Sequence, residues 1–190
     1  MGTNEIIRRR ALQSGGAAID WETMLKGAVE GTLVDEFVFP SGMTSLRKHA
    51  LEYTSFTKIT IPDTVRATNN REYGALSYNK FLTEVNIGSG LNRIDEAFLR
   101  GCTALESITI PSQVTSIGYM AMEGCKSLKE VILEPTTPPT LSVSVFSGTH
   151  ADLVIYVPDA SVSAYKSDNK WSSYASIIKG ISERPAGGGN

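Results

Sequence analysis

The chain has only two cysteines and two histidines in 190 residues. Two cysteines cannot make a disulfide framework, and Cys102 and Cys125 stand too far apart for a CxxC metal or redox motif. Neither His49 nor His150 has a metal-ligating neighbour in sequence, so a histidine zinc site has no basis. No apolar run reaches the ~18–20 residues that cross a bilayer, and no membrane span is expected. An excess of one charge is missing too. The net charge is −2 with both signs dispersed, which leaves no basic patch for nucleic acid. Glycines 88, 90, 101, 118 and 124 have neither Walker nor Rossmann spacing and read as turn residues. Arg8, Arg9 and Arg10 are followed by Ala-Leu-Gln-Ser-Gly-Gly rather than an apolar core, so no signal peptide is read in this chain. A Ser-His-Asp set can be drawn in any serine-rich chain and is no argument for a hydrolase. No catalytic residue, cofactor or metal is expected, and the chain reads as a non-enzyme.

What the chain does have is ordinary hydrophobic content, 41%, and a repeat. "VNIGSGLNRIDEAFLRGCTALESI" at 85–108 returns 23 residues later as "ITIPSQVTSIGYMAMEGCKSLKEV" at 108–131. Ile94 falls on Ile117, Leu99 on Met122, Gly101 on Gly124, Cys102 on Cys125 and Leu105 on Leu128. Upstream, Leu82-x-x-Val85-x-Ile87 and Phe56-x-x-Ile59-x-Ile61 repeat the pattern. "FVFP", "ITIP", "ITIP" and "IYVP" mark its ends. The unit begins at 37, 59, 85, 108, 131 and 155, spacings of 22, 26, 23, 23 and 24. A fixed period in this range marks a solenoid.

The apolar pair at period 2 makes a short half-buried strand. The proline after it cannot donate to a ladder and ends the pairing. The segment between strands is too short for an independent helix, so it returns the chain while turning residues such as Ile117 and Met122 inward. One coil cannot bury these side chains alone; stacked coils can. Ile87, Ile110 and Leu133 are expected in the core, with Asn86 and Thr109 outside. Cys102 and Cys125 would stack inward ~5 Å apart, within disulfide Cα range. Parallel side chains of a ladder rarely aim at one another, so two buried, reduced thiols are expected.

The columns "LxxIxIP", "SIGxxAM-GC" and "SL", carried best by "VTSIGYMAMEGCKSLKEVIL", resemble the BspA-like leucine-rich repeats of the LRR_5 class. The resemblance covers about residues 37–158 and is tightest over 85–133. It implies an α/β repeat solenoid: a leucine-rich-repeat rod of about six short parallel strands, capped at both ends by small helices. It also implies a habit of binding or display, and no catalytic site. The coil at 59–84 departs from the pattern. It is three residues longer, and Asn79 stands in the cysteine column.

Residues 1–18 are read as a flexible tail, 19–36 as an N-terminal cap, 37–158 as the repeats, 159–184 as a C-terminal helical cap and 185–190 as a second tail. In the first cap, Asp20 is a candidate N-cap for a helix bearing Trp21, Leu25 and Ala28 on one face. In the second, Asp159 or Ser161 caps a helix carrying Val162 and Tyr165, and Trp171, Tyr174 and Ile178 line another helical face. Both tryptophans read as core plugs.

Residues beside the inward pairs must point out. One outward column is Lys58, Glu84, Ser107, Glu130 and Val154; the other is Val38, Thr60, Asn86, Thr109, Ile132 and Tyr156. The face is either a plain solvated surface or a platform for a protein or glycan partner. As a platform its candidate residues are Lys58, Thr60, Glu84, Asn86, Thr109, Glu130, Ile132 and Tyr156, with Ile132 and Tyr156 as an exposed apolar anchor. The alternative is a structural, decoration or fibre-associated component of a phage virion or similar assembly. It rests on the leader "NEIIRRRAL", whose Arg8, Arg9 and Arg10 suit an acidic docking surface.

Overall fold

The computed structural model describes residues 34–37, 39, 42–47, 51–69 and 74–186. Arg8, Arg9, Arg10, the expected helix at Asp20–Ala28 with Trp21, Val38 and His49 all lie outside these residues.

Successive coils put their apolar pairs in register, and the strands follow from that. In chain order they are β1 (Val34–Phe37), β2 (Ser45–Arg47), β3 (Phe56–Ile61), β4 (Ala67–Asn69), β5 (Glu84–Ile87), β6 (Arg93–Ile94), β7 (Ser107–Ile110), β8 (Ser116–Ile117), β9 (Glu130–Leu133), β10 (Thr140–Leu141), β11 (Val154–Val157) and β12 (Ile178–Gly180). One α-helix, α1 (Val162–Ser167), lies between β11 and β12. β1, β3, β5, β7, β9 and β11 form the long face of a parallel-strand solenoid of about six coils. Phe37 lies opposite Ile59, and Ile59 opposite Val85. Farther along, Ile108, Val131, Ile155 and Ile178 form one row. β1 starts three residues before the expected boundary at 37.

The return arms carry a second ladder. Ile94, Ile117 and Leu141 align and are buried there. Two-residue strands are too short to show an alternation, which is why the pattern alone left the arms as simple returns. Between the ladders lies a core one coil deep, holding Phe56, Ile59, Leu82, Phe98, Leu105, Ile110, Leu128 and Leu133 at 2% exposure or less. Each such side chain contributes about 1.5–3 kcal/mol.

Asn79, the departure from the cysteine column, keeps that column's job. Its Nδ2 donates to the Leu51 carbonyl at 2.7 Å and the Leu76 carbonyl at 2.8 Å, and its Oδ1 accepts from Thr54 Oγ1. Cys102 Sγ contacts the Leu76 carbonyl at 3.2 Å, and Cys125 Sγ the Leu99 carbonyl at 3.1 Å. A buried carbonyl without a donor is costly, and these three coils each supply a side chain that meets one. Both thiols are free. Burial pushes Cys125 up to about 12, and burial, then the neighbouring Cys125, pushes Cys102 well above its ordinary value.

At the far end Trp171 is fully buried, as its plug role requires. Its Nε1 donates to the Pro139 carbonyl at 2.7 Å, and its ring lies 5.3 Å edge-on from that of Tyr165. Tyr165, on α1, donates to the Pro135 carbonyl at 2.8 Å. The second helical face is corrected. Tyr174 ends a 3-10 turn (Ser172–Tyr174), and Ile178 begins β12, which pairs in parallel with β11. The C-terminal cap therefore adds a strand to the ladder and covers it with one short helix.

The long face is interrupted once. β1, β3 and β5 form one hydrogen-bonded sheet, and β7, β9, β11 and β12 another. β5 and β7 are neighbours without a ladder between them. The same two coils stay joined on either side. At the preceding corner Tyr78 N donates to the Arg100 carbonyl at 2.6 Å. Beyond the strands, Gln113 Nε2 donates to the Gly88 and Leu91 carbonyls at 3.2 and 3.1 Å, and β6 pairs with β8. At the edge of this split Ile87 is half-buried rather than core, whereas Ile110 and Leu133 are fully enclosed.

Truncating Ile110 to alanine is expected to cost about 2–5 kcal/mol, against about 0.5 kcal/mol or less for Thr109→Ala. Urea melts of the two variants check this; equal losses would put the strand register off by one. Ellman's reagent is expected to react slowly with the native chain and to find two thiols after denaturation without reductant. A count of zero would show a disulfide.

Candidate functional site

The alternation that sends Ile59, Val85 and Ile108 inward sends Lys58, Thr60, Glu84, Asn86, Ser107 and Thr109 outward. The first column starts as an ion pair: Lys58 Nζ lies 3.0 Å from Glu84 Oε1 across the β3–β5 pair. Asn86 Nδ2 donates to the same Glu84 oxygen at 2.8 Å and stands 3.4 Å from Thr60 Oγ1. The Asn86 bond, and then Lys58, hold the Glu84 carboxyl below its ordinary value. The hydrogen bond to Glu84, and then its charge, raise Lys58. Both groups are solvated, so the pairing fixes side-chain geometry more than it adds stability.

The split between β5 and β7 opens on this face as a groove of about 530 Å³. Of the expected platform residues it brings together Glu84, Asn86, Thr109 and Ile132. Lys58, Thr60, Glu130 and Tyr156 do not line it. Polar groups that the outward columns missed line it as well: Asp63, Thr83, Ser89, Ser112, Gln113, Glu134 and Arg184. Asp63 Oδ1 accepts from the Ser89 amide at 2.7 Å, and Glu134 Oε2 from the Ser112 amide at 3.2 Å. The amide bond from Ser89 and then its hydroxyl lower Asp63. Each carboxylate reaches the next coil from outside the split, so the two clamp the coils bordering it without bridging it. Their signal in sequence is a carboxylate just past the strand, in "IPDT" after β3 and "LEPT" after β9, lying beyond the columns.

The expected exposed anchor at the C-terminal end is corrected. Tyr156 is 4% exposed and Ile132 is half-buried. β12 pairs along β11, and the chain then turns back over the sheet face. Arg184 Nε and Nη2 hold Glu130 Oε2 at 3.0 and 2.8 Å across 54 residues of sequence. Burial, then the Glu130 charge, raise the Tyr156 hydroxyl, and Arg184 opposes them. Tyr156 does stand in the outward column opposite Ile132; the cap that covers it has no local signal in sequence.

A ladder of parallel strands, a returning second ladder and a polar open face define a leucine-rich-repeat architecture. The BspA-type leucine-rich repeat region matches residues 23–152 in six copies, and the chain belongs to that family. The fold is similar to that of a leucine-rich cell surface protein from Faecalibacterium prausnitzii (22% identity, TM-score 0.57), which covers 78% of this chain and 36% of its own. It is similar as well to the leucine-rich repeat protein of T. pallidum (22%, TM-score 0.54, 65% and 57%). A leucine-rich repeat protein from Bacteroides ovatus also matches (20%, TM-score 0.52, 78% and 42%). The chain thus spans between about a third and three-fifths of these relatives. No curated protein matches. Repeat proteins of this type are generally non-enzymatic interaction modules, and no catalytic family is indicated. Among the described residues no helix is long and apolar enough to cross a membrane.

The Glu84 pairing sets a pH dependence with a defined sign. A depressed carboxyl contributes above its ordinary value of 4.5 and loses that contribution as pH falls through the lower folded value. Asn86→Ala removes the largest cause and is expected to move Glu84 up toward 4.5. Carboxyl-carbon NMR titration checks it; an unmoved Glu84 would mean that Lys58 alone sets the shift.

Proposed function

We propose that the chain is a non-enzymatic interaction module that engages a protein partner through the long sheet face, centred on the groove between β5 and β7. The observation that carries this reading is the groove itself. It is the place where the face departs from a continuous ladder, and exposed Asn86 and Thr109 stand on its opposite sides. Strand edges outside a ladder present backbone donors and acceptors, and the surrounding hydroxyls, amide and carboxylates add directional contacts. Half-buried Ile132 supplies apolar contact beside them. The Lys58–Glu84–Asn86 cluster pre-orders one wall, which lowers the entropy a partner must supply to bind.

The second reading is a contact within a virion or similar assembly, and its support is Arg8, Arg9 and Arg10 in the leader. Three adjacent cations dock an acidic surface in a salt-sensitive way. The two readings put the contact on different parts of the chain.

Thr109→Arg places a long cation in the groove from an exposed position. It is expected to leave the melting temperature nearly unchanged and to abolish capture of the partner in a pull-down. Deletion of residues 1–18 is expected to leave capture intact. Capture that survives Thr109→Arg and is lost with the leader contradicts the groove reading and favours the assembly contact.

A further inference from the structure

The groove between β5 and β7 has a charge that its own walls do not neutralise. Asp63, Glu84 and Glu134 line it against one cation, Arg184. Arg184 is held by Glu130. Glu84 is held by Lys58, which stands outside the groove. Asp63 and Glu134 each accept a backbone amide, and neither pairs with a cation among the described residues. They follow β3 and β9, so about three coil spacings of ~4.8 Å separate them along the rod. Among the described residues no three carboxylate, cysteine or histidine groups come together to hold a metal ion. A charge spread in this way is met by several cationic side chains on one segment, not by a single ion.

The chain carries such a segment itself. The leader "NEIIRRRAL" sets Arg8, Arg9 and Arg10 beside Ile6 and Ile7, with Glu5 as its one acid. A guanidinium has five donors and no acceptor, and the groove offers it carboxylates and strand edges outside a ladder. The apolar pair has its counterpart in half-buried Ile87 and Ile132, which line the same groove. The connecting chain is long enough. The 24 residues from Arg10 to Val34 span about 36 Å as a helix and about 80 Å extended. β1, β3 and β5 are successive strands of one sheet, so the groove centre lies about 12 Å from β1 at ~4.8 Å per strand.

We infer that the leader regulates the groove: Arg8, Arg9 and Arg10 dock in cis on the carboxylates of Asp63 and Glu134 and compete there with a partner. The inference rests on the groove reading above and names what occupies the site before a partner does. Attachment to the same chain gives the leader an effective concentration in the millimolar range, on the order of 1 mM. Contacts too weak to hold a free peptide therefore hold the leader. A second copy supplies the same arginines only at its concentration in solution, so at micromolar protein each chain's own leader wins.

Amide NMR spectra of the full chain test it. Replacing Arg8, Arg9 and Arg10 together by serine is expected to shift the signals of Asn86, Ser89, Thr109 and Ser112 and to leave Ser182, in the far cap, in place. Salt at about 0.5 M is expected to move the same signals in the unaltered chain and not in the serine variant. Asp63→Asn with Glu134→Gln keeps an acceptor for each amide and removes both charges. In that background the arginine replacement is expected to shift nothing, with the melting temperature nearly unchanged. Groove signals that stay in place when the arginines are replaced overturn the inference, and so do signals that still respond in the double variant. Shifts that grow with protein concentration assign the arginines to a second copy and overturn it as well. None of these outcomes touches the groove reading, which Thr109→Arg tests separately.

Discussion

Everything in this chain depends on parallel pairing between successive coils at equal positions. Pairing in register puts Ile108, Val131 and Ile155 in one row, so each inward side chain packs on its counterpart one coil away. A mismatch of one residue would send a whole row outward. The same rule explains why Asn79 is tolerated in the column of Cys102 and Cys125. The position demands a small side chain that meets a neighbouring carbonyl, and a thiol or an amide satisfies it. The requirement is geometric before it is chemical.

The long face opens where this rule lapses. β5 and β7 sit side by side without a ladder, while the corner before them and the short β6–β8 pair after them stay bonded. The coils are therefore held at two points and parted between. The rim carboxylates Asp63 and Glu134 each bind an amide of the coil adjoining the split. At the far end the face is closed instead, by β12 and the Arg184–Glu130 pair, which withdraws Tyr156 from solvent. The long face is thus open in its middle and closed at one end.

The repeat was legible because its spacing is nearly constant and its apolar pairs lie on one side. Six strand positions and the outward direction of Thr60, Asn86 and Thr109 follow from alternation, and the buried thiols from the 23-residue column that aligns them. Features that depend on a few residues or on distant parts of the chain were not legible. The two-residue strands of the return arms are too short to alternate. Ile178 stands at a spacing from Trp171 and Tyr174 that suits a helix, but the open edge of β11 recruited it as a strand. Tyr156 stands on the expected side but is buried, because the chain around Glu183 and Arg184 returns to it from a distant part of the sequence. The split could not be read at all, since Val85 and Ile108 obey the same pattern as every other pair.

The central claim is that the long face consists of two hydrogen-bonded sheets joined through their flanks. Residue-resolved hydrogen exchange measured by NMR tests it directly. Strong protection is expected across the β3–β5, β7–β9 and β9–β11 pairs and across β6–β8, with fast exchange confined to those amides of β5 and β7 that face each other. Uniform protection across the β5–β7 boundary would mean a continuous ladder, and would contradict both the split and the groove built on it.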